Sequence, residues 1–198
     1  NAWQYSFMVP QDAEGLAEAF GGRAQAISKL EEMFDLSLDY AERIEGEAAE
    51  LAPDPYYWHG NEPALASAFF FAAWGEPSKT QEWAAWVRES KYALDPAGLD
   101  GNDDGGTLSA WYAWSALGLY PLNGTSCYVL STPLFDKVVI QRPEGALTIQ
   151  ASGEGDYIES ASLNGTALDD AVICHQRLEG ERTLSVVRAD APTDWGNR

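Results

Sequence analysis

The sequence predicts a mainly α-helical region, residues 1–121, followed by an antiparallel β region, residues 122–198. Apolar residues recur at helical spacing before Pro121, and six short β-branched runs follow it. Pro63 and Gly75 bracket one apolar segment, as expected of a helix that begins at proline and ends at glycine.

The elements follow in order. Asp12 is placed to cap a helix that runs to about Phe20 and closes at Gly21 and Gly22. Ala24, Ile27, Leu30 and Phe34 mark one face of a second helix, and Leu38 to Leu51 reads as a third, weaker one. "PDPYYWHGNEP" holds three prolines and reads as a loop. "ALASAFFFAAW" is apolar all round, so its helix is expected to be buried on most sides. From Ser78 a further helix puts Trp83, Trp86, Val87 and Ser90 on one face. Glu82, Arg88, Glu89 and Lys91 on the other are expected to face solvent. Thr107 to Leu117 is again apolar nearly all round. Buried helices thus alternate with a half-exposed one, as two concentric helical layers would require. Beyond Pro121, "CYVLS", "KVVIQ", "ALTIQAS", "YIESASL", "AVICH" and "TLSVVRA" read as strands, and "LNGT" at 163–166 as a hairpin turn. Asn123 and Asn164 also fit the N-glycosylation acceptor pattern, which a plain turn explains equally.

Twelve Lys and Arg against 31 Asp and Glu give a formal charge of −19. So negative a chain repels phosphate backbones and anionic lipid, which argues against nucleic-acid and membrane partners. Its longest apolar run, Ala64 to Trp74, is too short to span a bilayer. Cys127 and Cys174 fit one disulfide in an exported protein or two buried thiols. Eight Trp and nine Tyr suit an aromatic core or a sugar-binding cleft.

Two polar knots stand out. In "LDGNDDGGTLSAW", Asp100, Asn102 and Asp104 imitate the first half of a calcium-hand loop. The twelfth position, where that loop needs glutamate, is Trp111, so the calcium-hand reading fails. One Asp at a helix start is an ordinary cap. Adjacent carboxylates with a third nearby repel one another unless a cation, a proton or a catalytic task holds them together. The second knot, "YYWHGNEP", sets His59, Asn61 and Glu62 before the other buried helix. If the two helices are neighbours, both loops open on one rim and converge on a concave site. Trp3, Gln4 and Tyr5 add a stacking ring and an amide at the start of the chain.

"NAWQYSFMVPQD", "YYWHGNEP", "GEPSKTQ", "LDGNDDGGTLSAWYAWSALGLYP" and "STPLFDKVVI" together resemble glycoside hydrolase family 92, the calcium-dependent exo-acting α-mannosidases. The resemblance implies that residues 1–121 are the second half of an (α/α)6 barrel and that 122–198 are terminal antiparallel strands. The whole would then be a fragment of a larger enzyme. It implies inverting hydrolysis of terminal α-linked mannose, in which one carboxyl group protonates the leaving oxygen and another activates water. The base is expected at Asp104, with Asp103 second, and Asn102 as a residue that orients water. Asn61 and Glu62 match the motif that supports Ca2+ and sugar. His59, Trp3 and Gln4 are expected sugar contacts.

The family's general acid would lie upstream of Asn1, so these residues alone are expected to give no turnover. The partners implied are a mannose-containing glycan and the upstream part of the same enzyme, exported or periplasmic in a bacterium. Family members often carry two histidines after "HGNEP". Ala64, Leu65 and Ala66 stand there, which puts recognition of the leaving group in question. Two alternatives remain: cleavage of mannose-α-1-phospho linkages on the same scaffold, and a non-catalytic carbohydrate-binding or structural helical module.

Overall fold

The structure, a computed structural model, describes residues 1–43 and 53–198. Helices come first: α1 (Ala2–Tyr5), α2 (Ala13–Ala19), α3 (Arg23–Arg43), α4 (Glu62–Leu65), α5 (Ser67–Ala73), α6 (Pro77–Ser90) and α7 (Thr107–Leu117). Strands β1 (Leu119–Pro121), β2 (Cys127–Leu130), β3 (Lys137–Ile140), β4 (Leu147–Ser152), β5 (Tyr157–Leu163), β6 (Thr166–Leu168) and β7 (Val172–Cys174) follow. A short α8 (His175–Leu178) precedes β8 (Arg182–Ala189).

Local chemistry sets most boundaries. The Asp12 carboxylate accepts the Gly15 amide and starts α2. Gly118, in the left-handed region at φ 70°, ends α7. The second and third expected helices are one: α3 continues through Leu38, and the expected stretch beyond Arg43 lies outside the described residues. No proline or glycine interrupts positions 23–43, so nothing local stops the helix there.

Every residue of α5 is buried. Phe69 stacks on Tyr120 at 3.7 Å, and Phe71 meets Phe34. Thr80 of α6 clips α5 by accepting from the Ala72 amide and donating to the Ala68 carbonyl. Trp111 of α7 donates its indole N–H to the Leu65 carbonyl, tying α7 to α4. The two helix entries that carry the polar knots are therefore neighbours.

Two expectations about exposure are corrected. Ser109, Ala110 and Ala113 of α7 are exposed, because nothing among the described residues covers that side. Conversely, Arg88 is only 8 % exposed, since its guanidinium turns in against Ser115 of α7.

All six expected strands form, joined by β1 and β6. They make a three-stranded sheet, β1-β2-β7, and a five-stranded sheet, β3-β4-β8-β5-β6. The expectation of purely antiparallel strands is corrected: β8 runs parallel to β4, with Ile149 opposite Leu184. The chain leaves after β4, builds the β5–β6 hairpin, β7 and α8, and re-enters the sheet between β4 and β5. Such a crossover returns the strand in its original direction. The β5–β6 turn is the expected one. Asn164 and Gly165 both take positive φ, and the Asn164 side chain accepts the Thr183 amide.

One core gathers the helices with Val129 and Ala171, and a second lies against the larger sheet. Gln81 of α6 joins them by accepting the Ile158 amide of β5. Cys127 and Cys174 sit opposite one another on β2 and β7 and are disulfide-bonded. The bridge closes a sequence separation of 47 residues, so its loss relaxes the unfolded chain. Cys127→Ala/Cys174→Ala is expected to lower the stability of this region by about 2–4 kcal/mol, read from denaturant unfolding under non-reducing conditions.

Candidate active site

Asp104 and Glu62 line one narrow crevice, together with Gly60, Leu65, Thr107 and Leu108. The two knots that the sequence separates by some forty residues thus meet at one cleft, itself too narrow to admit a water molecule. A hollow of about 400 Å3 adjoins it, sharing Glu62, Leu65 and Thr107 and adding Met8, Gln11 and Asn123.

The two acids of the loop have different situations. Asp103 is occupied: its carboxylate accepts the Ser109 amide at 2.8 Å and the Ser109 hydroxyl at 3.0 Å. It tightens the entry to α7, as a capping residue does. Asp104 is exposed, and its carboxylate has no hydrogen-bond partner among the described residues. It sits at φ 46°, a conformation few non-glycine residues take. Its backbone carbonyl accepts the Thr107 hydroxyl, which holds the turn. Asn102 is exposed beside them.

Asn61 has a defined orientation. Gln4 is buried and donates its amide N–H to the Asp54 carbonyl, so its side-chain oxygen faces Asn61. The Asn61 NH2 donates to that oxygen at 2.6 Å. The Asn61 carbonyl oxygen is thereby left to act as an acceptor. With the exposed Glu62 carboxylate it offers two hard oxygen donors side by side, the type that suits calcium. Calcium takes six to eight oxygens, so the others would come from water, sugar or further segments. Among the described residues, no group of three or more His, Cys, Asp or Glu is placed to hold a metal.

Three sequence-derived sugar contacts take other places. Gln4 is the anchor just described, not an exposed amide. Trp3 is half-buried, with the Lys29 ammonium 3.7 Å from its ring centre and the Tyr56 edge beside it, so one stacking face is taken. His59 has no exposed surface. Tyr92 donates its hydroxyl to the Leu108 carbonyl, so it receives the His59 Nε2–H at 2.6 Å. His59 Nδ1 then accepts the Tyr57 hydroxyl at 2.7 Å. This relay is a floor beneath the crevice, out of reach of a ligand. The signal in the sequence was the aromatic company of His59, which burial explains as well as sugar stacking.

Asp100 does more than imitate a calcium-hand position. Its carboxylate pairs with Lys91 at 3.5 Å. Its backbone carbonyl lies against Gly60 so closely that a Cβ there would collide with it. Burial pushes the Asp100 carboxyl up from its usual value, with Lys91 opposing. Burial likewise raises the Asp54 carboxyl, opposed by the Tyr56 amide.

Burial, aided by the Lys91 charge, lowers His59 to about 3. The unfolded chain binds a proton there below pH 6.5, while the folded chain refuses it until about pH 3. Stability is therefore expected to fall with pH across that window, by up to about 1.4 kcal/mol per pH unit. Asp54 and Asp100, raised in the fold, work the opposite way above pH 3.8 and moderate the slope. Urea unfolding from pH 8 to pH 3 measures it. His59→Gln should flatten the acid limb, and an unchanged limb would assign it to other groups.

The catalytic domain of glycosyl hydrolase family 92 matches residues 1–188. An uncharacterised secreted glycosidase of Arthroderma benhamiae is 25 % identical over 98 % of this chain and 24 % of its own length. A family GH92 α-mannosidase of Bacteroides thetaiotaomicron, solved with mannoimidazole, superposes at TM-score 0.83. It is 26 % identical over 97 % of this chain and 26 % of that one. The GH92 inverting mannosidase of Bacteroides thetaiotaomicron VPI-5482 gives TM-score 0.84 and 29 % identity over 100 % of this chain and 28 % of that one. The chain thus spans about a quarter of the length of these relatives. With nearly all of its length matched, it belongs to glycosyl hydrolase family 92, as part of the catalytic domain.

Proposed function

We propose that a full-length enzyme containing this chain is an exported, calcium-dependent exo-α-mannosidase that hydrolyses terminal α-mannosides with inversion. In this reading residues 1–121 complete a helical barrel, and residues 122–198 support it. The observation that carries it is the shared crevice of Asp104 and Glu62, within a chain matched to the family over residues 1–188. Of the similar solved structures, one is described as an α-mannosidase and another as an inverting mannosidase.

Asp104 is the general base. Its carboxylate is free of competing hydrogen bonds and exposed beside the crevice, where it can take a proton from a water that approaches from the open side. The positive φ presents it there, and Asp103 fixes the turn behind it. Asn102, exposed in the same loop, orients the water. The leaving oxygen takes its proton from a carboxylic acid outside these 198 residues. Asn61 and Glu62 are the calcium ligands of this chain, with Gln4 holding the Asn61 amide in place. Bound calcium supplies a hard Lewis acid that grips vicinal hydroxyls of the sugar. Trp3 acts at the rim by its remaining face, and Gln4 and His59 act from below as supports. Among the described residues the crevice lining holds two carboxyl side chains and no Lys or Arg, which favours a plain glycoside over a phosphate leaving group.

In the full-length enzyme, Asp104→Asn should lower kcat for a p-nitrophenyl α-mannoside by at least ~100-fold with little change in thermal stability. Asparagine tolerates the same positive φ. Asp103→Ala should instead cost about 1 kcal/mol of stability through the lost cap. Full activity in Asp104→Asn would remove it as the base. Chelation should abolish turnover, and Glu62→Gln should weaken calcium binding by roughly 10-fold or more, measured by calorimetric titration independently of activity. Unaltered calcium affinity would move the metal elsewhere.

A further inference from the structure

Arg88 poses a problem that the catalytic reading leaves open. Its side chain is more than nine-tenths buried, yet it makes one good hydrogen bond, from Nη1 to the Ser115 hydroxyl at 2.9 Å. A second contact, to the Ser115 carbonyl at 3.5 Å, is marginal. No carboxylate among the described residues comes within ion-pairing distance, and the acids that attract it from further away, Asp156 and Glu89, are both exposed. Its other N–H groups have no protein partner among the described residues and keep only slight contact with solvent. A guanidinium so largely withdrawn from water without an anion is costly, and native proteins seldom keep one so.

The same guanidinium lines an open hollow of about 340 Å3, with Tyr92, Leu94, Leu99, Ser109 and Tyr112. Leu94 is fully exposed at its lip, and Ala110 and Ala113 lie bare along the adjoining side of α7. The surface is largely apolar and small-stepped, with Arg88 the one basic residue of its lining among the described residues. Small residues let a helix backbone come close, and a carboxylate on that helix would meet Arg88 bidentately. Similar proteins are about four times the length of this chain, so they hold ample sequence to cover it.

We propose that this hollow seats a helix from the remainder of the full-length enzyme, whose Asp or Glu side chain enters to pair with Arg88. The seat lies directly behind the acidic loop. Tyr92, which carries the His59 relay, and Ser109, which binds Asp103, form its wall. The docked helix therefore supports both turns from behind. The proposal stands on burial and charge, and holds or fails independently of the reaction assigned above.

The test uses the full-length enzyme with a single added cysteine, Leu94→Cys or Ala113→Cys; the two cysteines of this chain are bonded to each other, and any free cysteine elsewhere is replaced by serine beforehand. Maleimide should label both positions on the order of 100-fold more slowly in the folded enzyme than in urea. Rapid labelling of both in the folded enzyme would overturn the proposal. Arg88→Met should speed labelling at position 113 and lower the unfolding midpoint, with Arg88→Lys intermediate. A midpoint and labelling rate unchanged by Arg88→Met would remove the carboxylate from the proposal. If Arg88→Met does not fold, the cysteine variants, which retain Arg88, decide alone. Millimolar acetate or phosphate that stabilises the enzyme but not Arg88→Met, with position 113 labelled rapidly, would make this a small-anion pocket and overturn the helix.

Discussion

The close approach of the Asp100 carbonyl to Gly60 is the constraint on which the site depends. It presses the acidic turn onto the histidine-asparagine-glutamate turn, with room for a hydrogen and no more. Around it, Lys91 holds the Asp100 carboxylate, and Trp111 holds α7 against the Leu65 carbonyl. These contacts bring Asp104 and Glu62 to one crevice. Without them, each turn would still open its own helix, but the two would not meet.

Beneath the crevice the polar side chains are fully engaged. The ordered chain from Tyr57 through His59 and Tyr92 to the Leu108 carbonyl uses both imidazole nitrogens. Ser37 continues the network by accepting the Tyr57 amide and donating to Met33. A buried network with its partners satisfied is rigid, and rigidity beside the acidic turn helps to hold Asp104 at its unfavourable backbone angle. The side chains above the network, Asp104, Glu62 and the Asn61 oxygen, are the ones left free. Support and reactivity are thus divided by depth: engaged groups below, unengaged groups at the rim.

The β region holds this arrangement from the other side. The disulfide and the β1-β2-β7 sheet fix the strand that leaves α7, and Gln81 joins α6 to the larger sheet. Expectations about elements held here because they rest on local signals. The Asp12 cap and the Asn164–Gly165 turn need only a few neighbouring residues to form, and the six strand segments are marked by local β-branched runs bounded by turn residues. The parallel pairing of β4 and β8 was not legible, because strand direction in a sheet follows from the order in which distant segments join.

The site divides in the same way. The sequence by itself determined which residue types stand at the helix entries: two adjacent acids on a glycine turn, and a histidine, asparagine and glutamate on another. It also determined the two helix starts that carry them and the family pattern they match. Only the tertiary structure decided that Asp104 is free while Asp103 is a cap, that His59 is floor rather than rim, and that Arg88 points inward. Composition and spacing report what a side chain can do. Burial and hydrogen-bond partners, which decide what it is left free to do, come from residues distant in the chain, and these meet only when the fold closes.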